Sequence, residues 1–163
     1  MEKKICIKGI NNRYQIKKVI EEKTIKIRKK SMKWDKDIFI WENQLNELEN
    51  ELLINEIKKK LQSYKQQDIC KKRFLEEEFV SLEYILKLLK ESELICCYCK
   101  EQIFILYEKQ REQKQWTLDR INNSVGHNVN NIMICCLECN LKRKNMNQKS
   151  FLFTKQLILN KVN

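Results

Sequence analysis

Two Cys-x-x-Cys pairs, Cys96/Cys99 in CCYC and Cys136/Cys139 in CCLEC, stand 36 residues apart and restrict the fold more than any other feature of the chain. Each pair sets two soft thiolates on one knuckle, and two knuckles supply the four sulfurs of a tetrahedral Zn²⁺ site. Iron in the same S₄ cage is a rival that ligand type alone does not separate. Disulfides, a redox pair and buried free thiols are the other readings, but nothing in the sequence indicates secretion. Cys97 and Cys135 read as packed small hydrophobes, and Cys6 and Cys70 have no evident partner. A closed Cys₄ site has no open position, so this metal holds the fold, and any catalytic ion must bind elsewhere, on hard oxygen ligands.

Charge is divided along the chain. Residues 1–34 carry twelve Lys/Arg against three acids (+9), residues 35–95 ten against fourteen (−4), and residues 96–163 eleven against five (+6). Basic ends fit contact with a phosphate backbone, which releases counterions and adds affinity without reading sequence. A solubilising basic surface explains the same numbers. At 163 residues one modest core with attachments is expected. No apolar run is long enough for a membrane span, and MEKKICIKGINNRYQIKK lacks the apolar core of a signal peptide. An intracellular, reducing compartment is expected, organelle or cytosol being open. The absence of Ala and Pro, with abundant Lys, Ile, Asn and Glu, follows A- and T-rich codons. It points to a viral, phage, organellar or protist source.

Periodicity divides the chain into three parts. In residues 1–34, KICIK (4–8) and TIKIR (24–28) alternate apolar with basic, as strands of a basic arm or hairpin. In residues 35–80, Trp41, Leu45, Leu48, Leu52, Ile57 and Leu61 recur at helical steps, predicting one amphipathic helix for packing, a protein partner or self-association. In residues 81–163, Ser81 caps a helix with Leu82, Ile85, Leu86 and Leu89 on one face. Ser150 is expected to cap a terminal helix carrying Phe151, Phe153, Leu157 and Leu159. A module boundary is placed near 66–72. The fold class is α+β.

Between the knuckles, WTLDRI reads as a strand, NNSVGHNVN as a turn-rich loop around Gly126, and NIMI as a second strand leading into Cys136. LECNLKRKNMNQ then reads as a short basic helix. The run CxxC, LDRI with GH, then NIMICCLECNLKRK resembles the HNH endonucleases of the ββα-metal (His-Me finger) fold, in their zinc-stapled branch that includes phage junction resolvases. It is similar to small proteins of phages and large DNA viruses that read LDRIDNS-x-GH followed by N…C-x-x-CN. The resemblance covers roughly residues 82–160, and residues 1–65 have no counterpart in it.

The resemblance implies a metal-dependent endonuclease that hydrolyses phosphodiesters in DNA, most naturally double-stranded, with RNA as an alternative. It places the structural zinc on Cys96, Cys99, Cys136 and Cys139. Asp119 and Asn140 become protein ligands of a catalytic Mg²⁺ or Mn²⁺, and Asn131 the residue that bridges the loop and orients the base. Asp119 otherwise reads as a strand-end acid and Asn140 as a capping amide. Lys142, Arg143 and Lys144 on the basic helix are expected to contact phosphate, their alternative being a solvated face.

The departure is Arg120, in the slot of the general-base histidine. An arginine stays protonated and cannot take a proton from water. Three readings are open. His127 can act as the base. Metal-bound water can need little help, with Arg120 clamping the phosphate. Or the site is inactive and the chain is a zinc-stabilised nucleic-acid-binding protein, on DNA or in an RNA–protein assembly such as a ribosome. His127 also reads as an ordinary loop residue bonded to backbone.

Overall fold

The computed structural model describes residues 25–157. KICIK (4–8) and Leu159 therefore lie outside the described residues, and the expected hairpin cannot be followed. Of its second strand, Ile27 forms an antiparallel bridge with Lys109, through Arg28 N to Glu108 O (2.8 Å) and Gln110 N to Lys26 O (2.8 Å). Two 3₁₀ turns follow, and then α1 (Trp41–Asn46), α2 (Glu51–Cys70) and α3 (Leu82–Glu91). An antiparallel pair, β1 (Trp116–Arg120) and β2 (Ile132–Cys136), leads directly into α4 (Leu137–Arg143), and α5 (Gln148–Gln156) closes the described chain. The architecture is α+β, with a two-stranded sheet. No helix among the described residues is long and apolar enough to cross a membrane.

The single helix expected from Trp41 to Leu61 is two helices. Its break is local chemistry: the Asn50 side chain accepts from Leu52 N (3.0 Å) and starts α2, since an amide oxygen there satisfies an otherwise orphaned N–H. Once α1 is freed from α2's axis, Gln44 turns inward. Its amide donates to Leu106 O (3.0 Å) and accepts from Ile105 N (2.8 Å) and Leu106 N (2.9 Å), so a fully buried polar group is paired. At the other end, Asn147 rather than Ser150 caps α5. Phe151 is buried, but Phe153 and Leu157 are exposed, so the expected apolar face is narrower. Ser81 does cap α3, accepting from Tyr84 N (3.2 Å).

α2 continues nine residues past Leu61 and lies along β1. Lys60 bonds the Trp116 carbonyl, the Tyr64 hydroxyl accepts from Leu118 N (3.0 Å), and Asp68 lies 3.7 Å from Arg120. Four residues of helix advance ~6 Å and two of strand ~6.7 Å. Every fourth α2 residue therefore meets every second β1 residue. The core is one cluster: Leu53, Ile57 and Tyr64 of α2 are buried with Ile85 and Leu89 of α3, Trp116 and Leu118 of β1, and the cysteines.

Lys60 is the costly member of this helix–strand seam. Its ammonium lies 4.9 Å from the Trp116 ring centroid and 3.0 Å from Gln115 Oε1, with no carboxylate partner among the described residues. Burial, then Arg28, pushes its pKa down from 10.5 to about 7. Between about 7 and 10.5 the unfolded chain therefore binds more protons than the folded one, and stability must rise with pH across that window. The denaturation midpoint should be higher at pH 9 than at pH 7, and Lys60→Met should flatten that slope; an equally steep slope in the variant would contradict the burial of this charge.

Candidate metal centre and its flanking polar clusters

The first knuckle is a tight turn between the bridged residues Ile95 and Gln102, closed by Lys100 N to Cys96 O (3.0 Å) and Cys96 N to Glu101 O (2.9 Å). The second is the junction of β2 with α4, where Cys136 is the N-cap and its sulfur accepts from Cys139 N (3.3 Å). Cys97 N donates to Ile134 O (3.1 Å) and docks one knuckle on the other. The Sγ atoms of Cys96, Cys99, Cys136 and Cys139 then all lie within 4.8 Å of one another. Four soft donors at that spacing fit a tetrahedral metal such as zinc, whose ~2.3 Å bonds demand similar sulfur separations.

Burial pushes the Cys139 thiol up to about 11, and hydrogen bonding to Cys96 chiefly raises Cys136 while holding Cys96 far down. A dication converts all four to thiolates and releases the protons. Cys135 is fully buried and Cys97 half-buried, both outside the cage.

β1 presents its residues alternately to two sides, and the polar residues divide accordingly. On one side Asp119, itself 5% exposed, accepts from Tyr98 Oη (2.5 Å) at Oδ2 and from Arg143 Nη1 (2.5 Å) at Oδ1. The Arg143 guanidinium also donates to Arg120 O (2.8 Å) and Ile121 O (3.1 Å). Burial and the Asp119 bond keep the Tyr98 phenol protonated by raising its pKa. Asn140 stands next to this group, donating to Thr117 Oγ1 (3.2 Å) and Leu118 O (3.1 Å).

On the other side Arg120 meets Asp68 and His127. Asp68 Oδ2 accepts from His127 N (2.6 Å) and lies 2.9 Å from His127 Nδ1, while Arg120 Nη1 lies 3.7 Å from Oδ1 and donates to Val125 O (3.2 Å). The His127 ring packs on Tyr64 at 4.5 Å between centroids and is 4% exposed. Burial lowers its pKa despite Asp68, which favours the neutral ring. Gly126 makes this possible, since a Cβ there would lie 2.6 Å from Arg73 O and 3.0 Å from Asp68 Oδ2. Asn131 clasps the loop, donating to Asn122 O (3.1 Å) and Gly126 O (2.9 Å) and accepting from Asn122 N (2.9 Å).

Two expectations are corrected. His127 does not face Asp119 as a free base: it is buried on the opposite side of β1 and tied to Asp68. Arg143 is not a phosphate contact: it is 2% exposed and turns inward to neutralise Asp119. Arg120 is half-buried and held by loop and helix rather than reaching freely into solvent. Lys142 and Lys144 are exposed, Lys142 in an i,i+4 pair with Glu138 (2.5 Å). The sequence reading missed Asp68 and Tyr98. Asp68 had a signal, an acid standing in the apolar register of Ile57, Leu61 and Tyr64.

Comparison of the chain with protein-family models, characterised proteins and solved structures returned no significant match. Its function is argued from the site alone. Purified protein should carry about one zinc per chain, and Cys139→Ser should release it and unfold the module; a metal-free protein with an unchanged melting curve would refute the cage. Arg143→Met, which strands a buried carboxylate, should cost about 3–5 kcal/mol in denaturant titration. The double substitution Asp119→Leu/Arg143→Met should recover most of that loss.

Proposed function

We propose that this chain is a zinc-stapled nucleic-acid-binding protein of HNH-like, ββα-metal architecture that grips its target without hydrolysing it. Support for the architecture comes from the order β1, loop, β2, α4, with cysteines at the base and Asn140 one residue after Cys139. Support for the absence of catalysis comes above all from Arg143. Its guanidinium sits on the Asp119 carboxylate, where a catalytic divalent ion would need to bind, with both side chains no more than 5% exposed. Displacing it leaves a buried charge uncompensated at about 3–5 kcal/mol, roughly two to three and a half powers of ten in metal affinity. The histidine that would serve as base is turned away, and Arg120 stays protonated.

Binding is supported by the cations that frame the loop at 121–131. Asn123 Nδ2 donates to Lys144 O (3.2 Å), which sets the end of α4, with exposed Lys142 and Lys144, against one side of the loop. Lys71, Lys72 and Arg73, at the end of α2, flank the other side, where the Arg73 carbonyl abuts Gly126. Such a rim attracts phosphate backbones with little sequence preference. Duplex DNA is the substrate class we favour, RNA being the alternative target.

The hydrolytic reading keeps one observation in its favour: Asn140 uses only its amide nitrogen, and Oδ1 accepts no hydrogen bond among the described residues. In that reading Asp119 and Asn140 hold Mg²⁺ or Mn²⁺, which would polarise the scissile phosphate. Incubation of supercoiled plasmid with zinc-loaded protein and either ion decides between the two. The expected result is no nicking, alongside duplex binding whose log K falls linearly with log salt. Nicking that EDTA and Asp119→Ala both abolish would overturn the binding-only reading and establish hydrolysis.

A further inference from the structure

A cavity of about 320 Å³ opens where the segment at 26–30 meets α2 and β1. It is at the small end of ligand pockets, which run from ~300 to 1,000 Å³. Its wall includes Arg28, Lys30, Glu56, Lys59, Lys60 and Trp116, so three cations, Arg28, Lys30 and Lys59, share one carboxylate beside Lys60, whose charge burial disfavours. Glu56 is already committed to two of them, Arg28 at 2.5 Å and Lys59 at 2.8 Å, and those bonds hold its carboxyl low against the opposing effect of burial. Lys30 makes no ion pair among the described residues and stands beside Lys59, each ammonium perturbing the other. Lys60 has only the neutral acceptors Gln115 and the Trp116 carbonyl. The walls thus hold more positive charge than the described residues neutralise.

The cations are also fixed in place. The Arg28 guanidinium lies 4.5 Å from the Tyr107 ring centroid and 5.4 Å from that of Trp34, and also donates toward Tyr107 O. Stacking of this kind removes much of the rotamer freedom a surface arginine would lose on binding a ligand. Like charges crowded without counter-charge raise the folded state's energy unless an anion joins them. We infer that this cavity is a phosphate-binding site in which Arg28, Lys30 and Lys59 donate to a phosphate group over the Lys60 floor. The group is a terminal or backbone phosphate of a nucleic acid, or free phosphate. The site does not depend on the duplex-binding reading, which the salt titration tests separately.

The test is calorimetric titration of zinc-loaded full-length protein with inorganic phosphate. Saturable binding is expected, weakened at least tenfold in Lys30→Gln/Lys59→Gln, both residues being on the surface. Glu56→Gln removes the one carboxylate among the described lining residues and should act in the opposite direction, tightening phosphate binding. Zinc content and far-ultraviolet circular dichroism verify that each variant is folded. No saturation at millimolar phosphate, an unchanged affinity in the folded double variant, or a Glu56→Gln protein that binds no tighter would each overturn the site. Competition by an oligonucleotide with a 5′-phosphate, and not by its 5′-hydroxyl counterpart, identifies a nucleic-acid end as the source. Displacement by neither, with phosphate still bound, identifies free phosphate.

Discussion

Four cysteine sulfurs gathered within 4.8 Å of one another, three of the residues buried and Cys99 partly so, form a cage that could hold a metal such as zinc. The local structure around the candidate site follows from that gathering. The cage ties the turn after α3 to the junction of β2 and α4, and in doing so delivers Tyr98, between the first pair of cysteines, to the Asp119 carboxylate on β1. It also fixes the start of α4, so that Arg143, near that helix's end, reaches back under the sheet to the same carboxylate. The staple and the polar cluster are one mechanical unit.

The pleat of β1 decides the chemistry. Adjacent residues of a strand face opposite ways, and Asp119 and Arg120 are held in two separate polar groups. Each is completed by a residue from elsewhere, Asp119 by Arg143 in a buried pair and the half-buried Arg120 by Asp68. His127 joins the second group. A buried aspartate neutralised by a guanidinium is held because breaking the pair strands a charge.

α2 shows why the N-terminal half is part of this unit. Lys60, Tyr64 and Asp68 recur at four-residue steps and meet Trp116, Leu118 and Arg120 at two-residue steps, because the two rises nearly match. The helix covers the face of β1 that a lone hairpin would expose. It brings a lysine without a counter-charge into one end of the seam and an aspartate under the loop at the other. The segment at 26–30 then packs against the same helix through Arg28 and Glu56.

Much of this was legible in the sequence, because the signals were local. The Cys-x-x-Cys spacing, the strand signals in WTLDRI and NIMI, and the Ser81 cap each depend on a few consecutive residues: the four cysteines came together, the cap formed, and the strands formed with ends shifted by one or two residues. Asn50 and Asn147 were as visible as Ser81, but choosing which polar residue starts a helix depends on competing packing, and the α1–α2 break and the α5 cap were misplaced. Side-chain direction lay beyond the sequence altogether. Arg143 reads as one more cation in a basic run, and His127 as the sole candidate base. Burial reversed both, because a carboxylate 24 positions away and an aspartate 59 positions away claimed them first. The sequence by itself determined which four cysteines come together and roughly where the two strands between them lie. Only the tertiary structure decided which charges meet, since unpaired buried charge is too costly to leave to chance.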